Sequence, residues 1–140
     1  MTDAAEGTRS RLTGMCPLLM VFDMPTALGF YRDLLGFEVI DAAPPGDEAD
    51  WAWLRNGVAQ VMLNTMFEAK DRPASPDTMR RGFHRDTEIY FGCGAVDELH
   101  DYLVDRGVEI DELRTAPYSM RQLYVRDPDG YVLCFQHPVA

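Results

Sequence analysis

Trp51 and Trp53 are separated by Ala52 in the run WAWLRN, so on a strand both indoles project to one face. A pair of indoles on one face makes a flat wall suited to stacking and to cation–π contact. Phe91 and Tyr124 are candidates for the opposite side of such a wall. The competing expectation, favoured on general grounds, is that both tryptophans pack between sheet and helix. Two indoles on one strand face are nonetheless more flat surface than a small core needs. Arg121 and Arg126 flank Leu-Tyr-Val near the C-terminus. Arg126 is expected to pair with Asp127 or Asp129, and Arg121 either to reach a ligand or to brace the preceding loop. His100 falls on a helix surface, His84 in a charged segment at the surface or at a cleft mouth, and His137 after the last strand. Three histidines so placed support no Ser-His-Asp arrangement, and no glycine-rich phosphate loop occurs.

The chain has 140 residues, enough for one compact domain. Its 23 acidic residues against 13 basic give a net charge of -10, which repels nucleic acid and anionic membranes and favours cationic or neutral ligands. Cys16, Cys93 and Cys134 are odd in number and lack metal-knuckle spacing. They suggest neither a disulfide framework nor a zinc site, and a reducing cytoplasm is expected. Met1 to Arg11 has no apolar core of the signal-peptide kind, no run is long enough to span a membrane, and residues 1–13 read as a disordered tail.

The elements that must position these residues occur twice. CPLLMVF reads as a buried strand, and Asp23 or Thr26 as the cap of a helix carrying Pro25 in its first turn and ending at Gly36. FEVID is a strand, and WAWLRNGVAQVMLNT a hairpin about Asn56-Gly57. The pattern then restarts with EIYFGC as strand, VDELHDYLVDR as helix, VEI as a short strand, and RQLYVRDPDGYVLCFQ as a hairpin about Asp127-Pro128-Asp129-Gly130. At an offset of 71, Leu28 meets Leu99, Tyr31 meets Tyr102 and Gly36 meets Gly107. This predicts an α+β domain of two tandem βαβββ modules, residues 14–67 and 87–140, with curved sheets around a shared cleft. Residues 68–86, with two prolines and many charges, form a linker or a lid.

FDMPTALGFYRDLLGFEV and YSMRQLYVRDPDGYVLCFQ, together with VDELHDYLVDRGVEI, resemble the vicinal oxygen chelate superfamily of glyoxalase I, bleomycin-resistance proteins and extradiol dioxygenases. The closing segment and EIYF resemble most the bleomycin-resistance branch. The resemblance implies metal-ligand positions on the first and last strand of each module, and carries them to Cys16, Met62, Glu88 and Cys134. Thr87 competes with Glu88, because the offset of 71 sets Thr87 against Cys16. Glu88 alone matches the usual His, Glu or Gln ligands. A hard divalent ion would not choose a thioether and two thiols, a soft metal is conceivable, and ordinary core packing of Cys and Met is the stronger expectation. Glu88 would then pair with a ligand or point to solvent.

The combined expectation is a metal-independent, cofactor-free homodimer that holds an aromatic or cationic small molecule, with Trp51, Trp53, Glu88, Phe91, Arg121 and Tyr124 at the site. The alternative is a divalent-metal lyase, isomerase or dioxygenase. A third reading is a non-catalytic module acting through protein partners, if its own side chains fill the cleft.

Overall fold

The computed structural model describes residues 10–140, and most of the expected tail, residues 1–9, lies outside them. Residues 10–17 take no regular secondary structure. The first module runs β1 (Leu18–Val21), α1 (Met24–Leu28) continuing as a π-turn (Gly29–Leu34), β2 (Glu38–Ala43), β3 (Trp51–Asn56) and β4 (Ala59–Thr65). The second runs β5 (Glu88–Gly92), α3 (Val96–Asp105), β6 (Ile110–Thr115), β7 (Met120–Arg126) and β8 (Val132–Pro138). Between them the connecting segment holds a short helix, α2 (Thr78–Phe83), flanked by 3-10 turns at Ala69–Asp71 and His84–Asp86. The sheets have orders β1-β4-β3-β2 and β5-β8-β7-β6, the same topology twice.

Local chemistry sets the boundaries. Asp23 caps α1, accepting the Thr26 amide at 2.7 Å and the Thr26 hydroxyl at 2.9 Å. Gly36 and Gly107, matched in the repeat, both stop their helices at positive φ, +81° and +79°. One strand departs from expectation. The strand predicted at VEI begins only at Ile110 and runs on through Thr115, because the Val108 amide is still closing α3 onto the Leu103 carbonyl.

The repeat is not at constant offset. In β2 and β3, the pairs Val39–Leu54 and Asp41–Trp53 match Ile110–Val125 and Glu112–Tyr124 at the sequence offset. In the outer ladders, Leu18–Met62 matches Tyr90–Cys134, one residue further on. The π-turn explains the first change: Leu35 donates to the Phe30 carbonyl five residues back, so α1 holds one more residue than α3. The tighter hairpin between β3 and β4 restores the count.

One continuous core joins the helix-facing sides of both sheets, with Leu19, Val21, Leu54 and Leu63 from the first and Phe91, Leu123, Leu133 and Phe135 from the second. Phe37 meets Phe91 edge-on at 6.1 Å, and the Tyr102 hydroxyl donates to the Leu34 carbonyl at 2.7 Å. The Asp127–Gly130 turn clasps the first module. Tyr31 donates its hydroxyl to Asp127 at 2.6 Å, the Phe22 amide donates to Asp129 at 2.7 Å, and the Tyr131 hydroxyl meets the Met20 backbone at 3.2 Å. Gly130, at φ +90°, lies so close to the connecting segment that a Cβ would run into the Arg81 carbonyl oxygen. The other face of each sheet, the open face, lies away from this core.

Burial pushes the carboxyls of Asp127 and Asp129 up to about 6. Their folded values lie above the ordinary unfolded value, so the stability they contribute is complete below about pH 4 and lost as pH rises through about 6. Asp129→Asn keeps an acceptor for the Phe22 amide but cannot ionise. Urea unfolding from pH 4 to 7 should therefore show the parent losing about 2 kcal/mol relative to this variant. A pH-independent difference would show that Asp129 is not held in a desolvated site.

Candidate functional site

The open face of the first sheet carries Trp51 and Trp53 among Leu18, Met20 and Met62, with the polar Asp41, Gln60 and Asn64 beside them. Alternation along β3 sends Ala52 and Leu54, both almost fully buried, to the helix side, and leaves Trp51 and Trp53 half-buried on the other. Packing of the indoles between sheet and helix is thus overturned: Ala52 and Leu54 already occupy that side. Trp53 pairs across the ladder with Met62, and its Nε1 donates to Gln60 Oε1 at 2.8 Å, fixing the ring plane. Leu18 and Met20 on β1 continue the surface, and Leu18 is exposed.

The same positions of the second sheet carry polar groups. Through the ladders, Gln122 answers to Trp51, Tyr124 to Trp53, Cys134 to Met62 and Tyr90 to Leu18. Two residues back along β5, Glu88 falls at the strand offset of Cys16, which precedes β1, where the sequence offset had set Thr87. Gln122 is fully buried although it faces the open side. It donates to Gln136 Oε1 and the Tyr118 hydroxyl, each at 3.0 Å, and accepts from Arg114 Nε at 3.1 Å and the Tyr124 hydroxyl at 3.3 Å. Tyr90 and Tyr124 meet edge-on with their hydroxyls 3.2 Å apart. That hydrogen bond, with burial, holds the Tyr124 phenol above the ordinary tyrosine range. Burial likewise pushes up the Cys134 thiol. An open groove of about 410 Å³ lies over this face, lined by Glu88, Glu112, Arg114, Tyr124, Arg126 and Val132 among others. The tryptophans are not among its walls.

Several expected site residues stand elsewhere. Phe91 is on the helix side, stacked on Phe135 at 5.2 Å, because its place in β5 alternates with Glu88 and Tyr90. Arg121 also points to the helix side, where it grips Asp97 in the first turn of α3 at 2.7 Å, so it braces the fold and not a ligand. Arg126 pairs with Asp111 at 2.9 Å, since Asp127 and Asp129 are turned inward to the clasp. His84 stacks on Tyr131 at 4.1 Å and donates Nδ1 to the Asp129 carbonyl. His100 contacts Asp101, and His137 its neighbour Pro138. Gln122, Tyr90, Gln136 and Arg114 were not singled out in the sequence. The alternation in EIY and QLY would have placed Tyr90 beside Glu88 and Gln122 beside Tyr124.

Residues 14–135 match the model of the Glyoxalase/Bleomycin resistance protein/Dioxygenase superfamily. No individually curated protein is similar at a significant level. Among solved structures, the antibiotic binding protein TnmS3 from Streptomyces sp. CB03234 is similar at 22% identity and a TM-score of 0.67, over 94% of this chain and 99% of that one. The bleomycin-binding protein of Streptomyces verticillus, complexed with copper(II)-bleomycin, is 23% identical with a TM-score of 0.63, over 91% and 97%. Lactoylglutathione lyase from Agrobacterium tumefaciens is 16% identical with a TM-score of 0.65, over 91% and 95%. At these identities the likeness is one of fold.

The metal implied by some members of such a superfamily can be tested against the donors present. Met62 belongs to the first sheet and Cys16 lies in the chain just before it, while Glu88 and Cys134 belong to the second. Both thiols are pushed up by burial, away from the thiolate a metal binds. Met62 offers only a thioether beneath Trp53. This donor set does not fit a hard divalent ion. Elemental analysis of purified protein is expected to find less than stoichiometric transition metal. One equivalent of iron, nickel, manganese or zinc that disappears in Glu88→Ala would overturn the assignment.

Proposed function

The chain belongs to the Glyoxalase/Bleomycin resistance protein/Dioxygenase superfamily, and from that premise we propose that it is a metal-independent binder of a planar aromatic or cationic small molecule, acting by sequestration. The carrying observation is the placement of Trp51 and Trp53, half-buried on the sheet face opposite Ala52 and Leu54, away from the helix-side core. The core does not need them. Indole faces attract planar rings and cations, and the charge of -10 adds long-range attraction for the latter. Two structural relatives described as antibiotic-binding and bleomycin-binding support the ligand class.

On the second sheet the Gln122–Tyr124–Tyr90 network, anchored on the buried Gln122, forms a polar floor, and Glu88 stands exposed at its edge to meet a cationic group. Both open faces carry exposed apolar side chains, Leu18 at 50% and Tyr90 at 46%. We take a second copy as their cover, so that the first sheet of one chain closes over the second sheet of its partner. No helix of the described residues is long and apolar enough to cross a membrane.

Tryptophan fluorescence titration against polycyclic, glycopeptide and amine-bearing compounds tests this reading, on a sample expected by light scattering to have twice the 15.8 kDa chain mass. Stacking is worth on the order of 1 kcal/mol, so Trp53→Ala should weaken binding roughly fivefold, and added salt should weaken cationic ligands further. Ligands that quench equally in parent, Trp51→Ala and Trp53→Ala would contradict it.

A further inference from the structure

Six of the eleven arginines among the described residues are paired. Arg32, Arg72, Arg106, Arg114, Arg121 and Arg126 each lie within ion-pair distance of a carboxylate. Arg81 and Arg85, on and just beyond α2, are two of the five that pair with none among the described residues, with Arg11, Arg55 and Arg80, although the chain has 23 acidic residues to its 13 basic ones. Arg81 Nε is also buried without a hydrogen-bond partner there. An unpaired buried guanidinium N–H costs stability unless something supplies an acceptor.

Arg81, Arg85 and Arg126 line a cavity of about 210 Å³ at the junction of the connecting segment and the clasp turn, together with Thr78, Gly82 and Asp127. Arg85 gives only its Nε to the Gly82 carbonyl at 3.1 Å, and Arg126 only its Nε to Asp111, so the terminal nitrogens of both have no hydrogen bond among the described residues. The one acidic wall residue, Asp127, directs its oxygens to the Tyr31 hydroxyl and the amides of Asp129 and Tyr131. We propose that this cavity is a binding site for a tetrahedral oxyanion, phosphate or sulfate, either free or as the end group of a larger ligand. Three arginines lining one small space suit an acceptor that can take hydrogen bonds from several directions. Arg126 is shared with the groove over the second sheet, so an anionic end group held here lies beside a molecule on that face.

The test uses the full chain and three probes, inorganic phosphate, phenyl phosphate and sodium chloride, at matched ionic strength, followed by thermal unfolding and by amide NMR shifts. Phosphate should raise the unfolding midpoint saturably where chloride does not. Arg85→Gln, a partly exposed position, should weaken phosphate about tenfold or more, as expected for loss of a charge-assisted contact. Arg55→Gln, on the remote strand β3, should leave it unchanged. Phenyl phosphate binding more tightly than phosphate identifies a ligand-borne end group, and equal binding identifies the free ion. Either result supports the site. A chloride response equal to that of phosphate, or undiminished phosphate binding in Arg85→Gln, overturns it. The probes do not involve Trp51 or Trp53, so failure here leaves the stacking reading standing.

Discussion

A carboxylate buried at the junction of two modules is the constraint from which the rest of this structure follows. Asp127 is 3% exposed and receives the Tyr31 hydroxyl and two amides of its own turn. A carboxylate so placed is strongly unfavourable without donors and acceptable with three. Tyr31 comes from the first module and the turn from the second, so satisfying Asp127 fixes the helical sides of both against one another. The shared core and the Phe37–Phe91 contact then lie between the sheets, and the remaining sheet faces are free for other work.

Duplication supplied one scaffold and divergence gave its halves different chemistry. Equivalent open-face positions hold Trp51 and Gln122, Trp53 and Tyr124, Met62 and Cys134. One surface carries two indoles and the other a hydrogen-bonded network of its own side chains. A ligand with a planar body and polar edges would use both, which is the physical sense of bringing two such faces together. The π-turn of the first helix shows that this equivalence survived a one-residue difference, absorbed where a helix can widen without moving the strands at either end.

Much of this was legible from the chain. Strand, helix and hairpin periods gave both modules, and the Asp127–Gly130 turn was recognisable from its proline and glycine. Alternation in WAWLRN put Trp51 and Trp53 on one face, but pattern alone could not say which face met the helix; the small Ala52 between them, now seen in the core, was the missing clue. Phe91 and Arg121 were misplaced for a related reason. Each sits one residue off the positions that face the groove, and a single step along a strand reverses the side. The pairings of Arg121 with Asp97 and of Tyr31 with Asp127 join residues far apart in sequence, and no local pattern encodes them. The constant offset also set Thr87 against Cys16, because the extra residue in α1 is invisible until its hydrogen bonds are seen.

The most direct measurement is the coupling free energy between Tyr31 and Asp127 from a double-mutant cycle of Tyr31→Phe, Asp127→Asn and the double variant, each unfolded in urea at neutral pH. If this buried contact joins the modules, the cycle should give a coupling of about 1–3 kcal/mol, with both single variants destabilised. Additivity within about 0.5 kcal/mol would contradict the account, because the two residues would then be acting independently.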